Sequence, residues 1–580
     1  MKKKVLLVSI LASFALGGAN AQTAPSYLVD YVVDMGAEWH DMLDTWEPGK
    51  SFSNNEGYTD DNFFISRVRP KARIMNEKTQ IVESRTNERK VLWWCPIGEN
   101  SKKWGPLPRY NFNADNFSMW QYLEYHGNWS NGWIRVPGVF NDVAHKNGVM
   151  TGCLNFFEGS VSPGLSKLVT KENGQFKYAK KFVQILKYYG LDGVGVNPEG
   201  SLGQTLANNM KDFFAACHDA AEEIDWHFKV IWYESQSNSG SVNWTDQLSD
   251  GNSEWFSKDG KTVTDAFFLN YNWGTTKLNT SLAEANRLKR NTYDVYGGMD
   301  IQGRGLHNNS GTSGNWVLLK DYPFSIGLWG AHDDNVIHQA STENGTSDLA
   351  IQNLYQKKLE LFFSGGKRNP AICPAINNER RGFSETDLKG FHGIAAFVNA
   401  QSTLNTLPFV TRFNLGNGTS FKKDGVTTFD KNWYNIGMQD FLPTWRWWIT
   451  DSWTNATSVP ADAINLDFTF DDAWYGGSSL KIQGATADSK IRLYKTELTL
   501  TEGCEVNVTY KMVNGGTDPK LALCLSKKGS ENEFVSYTLP AVTKSGEWFT
   551  AKVKLSELSL NANDLIACIA LEAKKHCFQL

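Results

Sequence analysis

The sequence predicts an α/β chain: a (β/α)8 TIM-like barrel followed by β-sandwich accessory domains. Three observations predict it. Short apolar strands alternate with amphipathic helices from Lys90 to Pro370. No Gly-rich phosphate loop follows any of those strands, which favours a barrel over a doubly wound sheet. After Pro374 the texture changes to short strands separated by Gly, Asn and Asp turns. At 580 residues the chain has room for two to four domains, with cores that need no disulfide or metal staple.

Taken in order, Met1–Ala21 reads as a secretory leader. Lys2, Lys3 and Lys4 precede an apolar run from Val5 to Leu16, and Ala19-Asn20-Ala21 supplies the small-residue cleavage pattern. No later apolar stretch approaches the length of a membrane span. The leader therefore predicts a secreted or periplasmic protein of bacterial type. Val91-Leu92-Trp93-Trp94-Cys95 then reads as a buried strand, with one of the two tryptophans facing the barrel interior and the other the helices. Val139 to Lys146 is helical and leads into the strand Val149 to Leu154. Phe182, Ile185, Leu186 and Tyr189 mark a helix face that ends at Gly190. Leu191–Val196, Phe228–Tyr233, Ala266–Tyr271, Asp294–Gly297 and Phe324–Trp329 read as further strands. Leu206–Ile224, Ser281–Arg290 and Leu349–Phe363 read as helices. Beyond Pro374, Phe391–Val398, Val410–Leu415 and Thr427–Trp433 look strand-like, as do Leu466–Phe470, Ser479–Ile482, Ile491–Tyr494 and Val506–Met512.

Composition narrows the function classes. Lys+Arg 58 against Asp+Glu 62 gives a net charge of −4, and loss of the leader's three lysines makes the remainder more acidic, so no nucleic-acid footprint is present. The excess is aromatic, with 22 Trp, 20 Tyr and 33 Phe, and such flat side chains suit stacking on sugar faces as well as core filling. None of the eight cysteines forms a C-x-x-C pair, so a structural zinc site has no support. Cys504, Cys524, Cys568 and Cys577 cluster near the C-terminus, where an oxidising compartment would permit bridges. His332 and His338 with Asp333 and Asp334 lack a ligand spacing and read as a solvated loop. No cofactor is implied. Trp445-Arg446-Trp447-Trp448 fits either a sugar platform or a lining for the barrel–sandwich junction.

The chemistry-bearing stretch is Leu191-Asp192-Gly193-Val194-Gly195-Val196-Asn197-Pro198-Glu199-Gly200. On an extended strand residues i and i+2 share a face, so Asn197 and Glu199 would project together with Cβ atoms roughly 6.5–7 Å apart. Barrel active sites lie at the C-terminal strand ends, and Pro198 restricts Asn197 to extended angles. A conventional glycosidase needs two carboxylates. An amide beside one carboxyl instead suits a substrate that carries its own nucleophile, the 2-acetamido group of N-acetylglucosamine. Glu199 would act as acid and then base, while Asn197 orients the acetamido group.

At these residues the chain resembles glycoside hydrolase family 85, the endo-β-N-acetylglucosaminidases. Asp192-Gly193 and Asn197-Pro198-Glu199 match that family's Asp-Gly…Asn-x-Glu motif. The segments Val230–Ser235 with Val242–Trp244, Phe267–Trp273, Val295–Gly305, Tyr434–Trp445 and Gly476–Leu480 resemble its later blocks in order. Pro198, Glu234, Thr245-Asp246 and Asp333-Asp334 depart from the family pattern. The resemblance implies cleavage of the GlcNAc-β1,4-GlcNAc core of N-linked glycans with retention. It implies Glu199, Asn197 and Tyr233 as catalytic residues, and Trp244, Trp273, Tyr271 and Asp300 as substrate-binding ones. The change of strand texture along the chain places a catalytic barrel with an irregular lead-in over 22–374, a β-sandwich over 375–457 and a carbohydrate-binding-like sandwich over 458–580. The rivals are a family 18 chitinase-like enzyme, which would want Asp in place of Asn197, and a glycan-binding protein without catalysis, which has no need of Glu199.

Overall fold

The computed structural model describes residues 43–49, 65–96, 116–129, 138–154, 163–306, 316–330, 337, 347–379, 381–484, 487–513 and 515–574. The leader, Cys577 and the stretch containing His332, Asp333, Asp334 and His338 lie outside the described residues. Eight strands close into a parallel barrel: β1 (Val91–Pro96), β2 (Tyr125–Trp129), β3 (Met150–Leu154), β4 (Gly193–Val196), β5 (Lys229–Tyr233), β6 (Ala266–Leu269), β7 (Val295–Asp300) and β8 (Ser325–Trp329). Each pairs with its neighbours in chain order, and β8 returns to β1 through Trp94↔Trp329. Helices α1 (Gly138–Lys146), α2 (Ala179–Tyr189), α3 (Gln204–Glu223), α4 (Thr275–Arg287) and α5 (Asp348–Ser364) supply the alternation that was legible as amphipathic runs. Among the described residues, no helix is long and apolar enough to cross a membrane.

Alternation along the strands sorts the core. Leu92, Trp94, Tyr125, Ile231, Tyr233, Ala266, Phe268 and Tyr296 form the barrel interior. Val91, Trp93, Trp232, Phe267 and Val295 face the helices. Trp94 stacks on Phe268 at 5.0 Å, while Trp93 packs edge-on against Phe117 at 5.1 Å, so the paired tryptophans divide as alternation requires. Strand β4 is packed most tightly against its neighbours. A Cβ at Gly193 would lie 1.8 Å from the Lys229 carbonyl oxygen, so only glycine permits the β4–β5 pairing there. Asp192, just before it, is 1 % exposed and ties the start of β4 to its surroundings. Its carboxylate accepts the Thr151 N–H at 2.5 Å, meets His145 Nε2 at 2.8 Å and bonds His227 Nε2. The Asp-Gly half of the motif therefore sits at the opposite end of β4 from Asn197 and is architectural.

The C-terminal half is rich in sheet. A five-stranded sheet runs in the order Trp448–Thr450, Ser489–Thr499, Leu565–Ala573, Leu521–Lys527, Ser530–Thr538. The pairs Asn465–Thr469 with Ser479–Gln483, and Glu505–Tyr510 with Phe549–Lys554, pack around the same apolar cluster. Among the described residues, pairing crosses residue 458 through Trp448↔Arg492, Lys422↔Gly476 and the isolated bridge Leu404↔Thr496.

Two expected strands are absent. Phe391–Val398 contains a 3-10 turn at Ile394–Ala396 and is buried against the barrel's outer core. Val410–Leu415 is irregular because the Asp440 carboxylate accepts the Arg412 and Asn414 N–H groups at 2.8 and 3.0 Å, taking the place of a neighbouring strand. Trp445, Arg446, Trp447 and Trp448 are all buried, and Arg446 donates to Ser118 Oγ at 3.1 Å, so this stretch lines the junction with the barrel. Cys504, Cys524 and Cys568, where bridges would be permitted, are free thiols; Cys524 and Cys568 sit buried with their thiols pushed up to about 12.

Candidate active site

The strand geometry of β4 ends at Val196. There the Glu199 N–H donates to the Asn197 carbonyl at 3.0 Å, closing a three-residue turn about Pro198. Simple i, i+2 alternation thus carries the chain to Asn197 and no further. The turn leaves Asn197 3 % exposed at the barrel floor and Glu199 exposed at its rim. The turn is held from outside: Ser235 Oγ donates to the Pro198 carbonyl at 2.8 Å, Gln236 Nε2 donates to the Gly200 carbonyl, and Leu202 N–H donates to Gly240 O at 2.8 Å. Interior positions of β4 below Asn197 are glycines, so β4 itself places no side chain beneath the amide.

Asn197 Oδ1 is buried with no hydrogen-bond partner among the described residues. What sets this acceptor apart from other unpaired buried amide oxygens of the chain is its place at the C-terminal end of a barrel strand, where it is open to a ligand's N–H. Around it stand polar and aromatic groups from the next strands. Tyr233, at the end of β5, is 7 % exposed and donates its hydroxyl to Asn270 Oδ1 at 2.7 Å. Burial pushes its hydroxyl up, and the nearby charges of Glu199, Glu234, Asp246 and Asp300 push it further, so the phenol stays protonated and acts as a donor. Tyr271 packs 6.0 Å from the Tyr233 ring and is likewise raised by burial, with Glu199 and Asp300 adding to it. Asp300, the last residue of β7, caps the turn that follows by accepting the Gly303 N–H at 2.8 Å. It also lies 3.5 Å from Arg304 Nε, and Arg304 in turn reaches Asn272 Oδ1 at 2.8 Å. Glu199, Asn197, Tyr233, Tyr271 and Asp300 therefore share the C-terminal mouth of the barrel.

The two expected tryptophans part company. Trp244 is 47 % exposed on the excursion between β5 and β6. Trp273 is fully buried: its Nε1 donates to the Gly298 carbonyl at 3.0 Å, and its ring lies behind the sheet beside Gly297 and Leu319. Trp273 therefore has no face to offer a sugar and packs the core where the sequence predicts a cleft wall. Asn270, Arg304 and Trp329 were not singled out beforehand. Trp329 closes β8 beside Asp300 in register and packs against the interior cluster; its signal was simply an aromatic at a strand end. Among the described residues, no cluster of His, Cys, Asp and Glu could hold a metal ion.

The Glycosyl hydrolase family 85 model matches residues 99–421, which include all of these groups. The chain belongs to glycosyl hydrolase family 85. Among its relatives is the cytosolic endo-beta-N-acetylglucosaminidase of Danio rerio, 24 % identical over 405 residues, covering 68 % of this chain and 49 % of that protein. The Homo sapiens protein of the same description is 24 % identical over 422 residues, covering 71 % and 49 %. The chain thus spans about half the length of the curated relatives it matches. Among solved structures, the Spr0440 glycoside hydrolase domain, Endo-D from Streptococcus pneumoniae R6, superposes with a TM-score of 0.74 at 25 % identity, covering 93 % of this chain and 80 % of that one.

Proposed function

We propose that this family 85 chain is an endo-β-N-acetylglucosaminidase that hydrolyses the GlcNAc-β1,4-GlcNAc core of N-linked glycans by substrate-assisted, retaining catalysis. The observation that carries the reading is the orphan Asn197 Oδ1, one turn from the Glu199 carboxyl. In the first step the 2-acetamido carbonyl oxygen of the sugar attacks its own C1. The bond from C1 to the glycosidic oxygen breaks as Glu199 gives its proton to that oxygen, and an oxazoline-like intermediate forms. Asn197 Oδ1 accepts the acetamido N–H and so aims the carbonyl. In the second step Glu199, now a carboxylate, takes a proton from water; the hydroxyl adds to C1 and the oxazoline ring opens. Two displacements at one carbon give retention.

Tyr233 supplies a hydroxyl donor to the acetamido pocket, Tyr271 and Asp300 hold the sugar on the catalytic face, and Trp244 stacks on the reducing-end sugar. The leader sequence Met1–Ala21 supports export, a departure from relatives whose names say cytosolic. The test is Asn197→Ala. This variant should lose cleavage of natural glycoproteins yet still consume a preformed sugar oxazoline, which already contains the ring that Asn197 helps to close. Normal glycoprotein hydrolysis by Asn197→Ala would overturn the mechanism.

A further inference from the structure

Glu234 follows Tyr233 directly. Its N–H continues the ladder by donating to the Phe268 carbonyl at 2.8 Å. Tyr233 points into the barrel, so alternation sends the Glu234 side chain outward, where it is fully buried. A buried charge is costly unless its hydrogen-bonding capacity is met. Here four donors converge on the carboxylate. Oε1 accepts the Thr245 N–H at 3.0 Å, the Thr245 hydroxyl at 2.9 Å and Asn252 Nδ2 at 3.3 Å, and Oε2 accepts the Asp246 N–H at 2.8 Å. A carboxylate only accepts, so this shell of donors fits it and no neutral side chain as well.

The clamped residues come immediately after Trp244. Asp246 carries the connection onward: it is in the left-handed region at φ 57°, accepts the Asn272 N–H at 3.1 Å, and pairs with Lys277 Nζ at 2.6 Å. Through Asn272 the chain of contacts reaches Arg304 and Asp300 at the end of β7, two strands along the mouth from β5. Behind it, Trp232 and Trp255 stack at 4.1 Å as a rigid floor. Trp244 is left 47 % exposed, while its backbone is fixed one residue from a four-fold clamp.

We infer that Glu234 is a positioning residue for the reducing-end side of the cleft: its buried carboxylate pins the 244–252 loop to the strand end that bears Tyr233 and so presents Trp244 to the sugar that becomes the leaving group. This inference rests on the proposed function for the identity of that sugar; the clamp itself stands apart from it. Burial pushes the Glu234 carboxyl up to about 7 against the pull of the Thr245 and Asp246 donors, and the charged group facing it is Asp246 from the loop, itself held by Lys277 of α4.

The test compares wild type, Glu234→Gln, Glu234→Ala and Trp244→Ala. Glu234→Gln keeps the size but presents an amide to backbone donors, so amide hydrogen exchange over 243–252 should quicken in it. KM for a high-mannose glycoprotein should rise about tenfold in Glu234→Ala, the scale of lost charge-assisted hydrogen bonds, and by less in Glu234→Gln, with kcat little changed. Hydrolysis of a preformed sugar oxazoline, which has no reducing-end sugar, should stay at the wild-type rate. Glu234→Gln combined with Trp244→Ala should be no worse than Trp244→Ala alone. Unchanged exchange over 243–252 in Glu234→Gln would refute the clamp even in a protein that cleaved no glycan. Additive losses with Trp244→Ala, or a parallel fall in oxazoline hydrolysis, would refute its link to the cleft. If Glu234→Ala does not fold, Glu234→Gln carries the same comparisons. Wild-type inactivity toward both glycan substrates would instead count against the proposed function.

Discussion

Lys495 gives the most quantitative prediction about what the fold tolerates. It lies in the strand Ser489–Thr499, opposite Cys568, with no exposed surface and no hydrogen-bond partner for Nζ among the described residues. Burial pushes its pKa down from the ordinary 10.5 to about 8, with Glu497 and Glu77 opposing weakly. At pH 7 the amine is still charged, so the whole difference is a cost to the folded state. At roughly 1.36 kcal/mol per pH unit it comes to about 3 kcal/mol. Between about pH 8 and 10.5 the unfolded chain binds the proton that the folded chain has released, so stability rises with pH across that window. Lys495→Met keeps the stem's length and packing while removing the charge. Urea denaturation followed by tryptophan emission should show Lys495→Met more stable than wild type by about 2–3 kcal/mol at pH 7, shrinking to about 1 kcal/mol or less at pH 10. No gain at pH 7, or the same gain at both pH values, would refute the reasoning.

Three further outcomes follow from the barrel. Asp192→Asn breaks a buried pair and should cost about 3–5 kcal/mol in urea melts near pH 5.5. Burial raises Asp192 while His145 and His227 pull it down below 3.8; His145 is raised above 6.5 by Asp192, against desolvation. The carboxylate's share is therefore lost as pH falls below 3.8, the imidazole's as pH climbs through its raised value, and the deficit of the variant should narrow by pH 9. Gly193→Ala drives a Cβ into the Lys229 backbone and should reduce soluble yield and thermal midpoint sharply, since strands β4 and β5 cannot pair as they do; a midpoint near wild type would contradict the close approach. Tyr233→Phe leaves Asn270 Oδ1 without its donor and, on the proposed mechanism, should lower kcat about 100-fold; steady-state kinetics with kcat near wild type would remove Tyr233 from the chemistry.

Much of the barrel was legible because its strands are apolar on both faces and its helices on one. Val91–Cys95, Phe228–Tyr233 and Ala266–Leu269 needed only that pattern, and alternation correctly split Trp93 from Trp94. Legibility failed where the chain leaves regular structure. Nothing local separates Trp244, half exposed, from Trp273, fully buried; the difference is that Trp273 meets the distant Gly298 backbone, whereas Trp244 stands on the surface of its own loop. Val410–Leu415 alternates like a strand, yet its backbone partners are the Asp440 carboxylate and N–H and the Ser478 hydroxyl, distant groups that no periodicity can reveal. The Asn197 and Glu199 pair was found from its residue types, but the turn about Pro198 replaced the extended geometry first drawn for it.

The central claim is that Glu199 is the proton donor of an endo-acting glycosidase. Intact-mass analysis of a high-mannose glycoprotein after incubation with wild type and with Glu199→Gln tests it most directly. Wild type alone should collapse the glycoforms to the polypeptide bearing a single HexNAc. Equal collapse by Glu199→Gln, or wild-type products trimmed one outer sugar at a time, would contradict it.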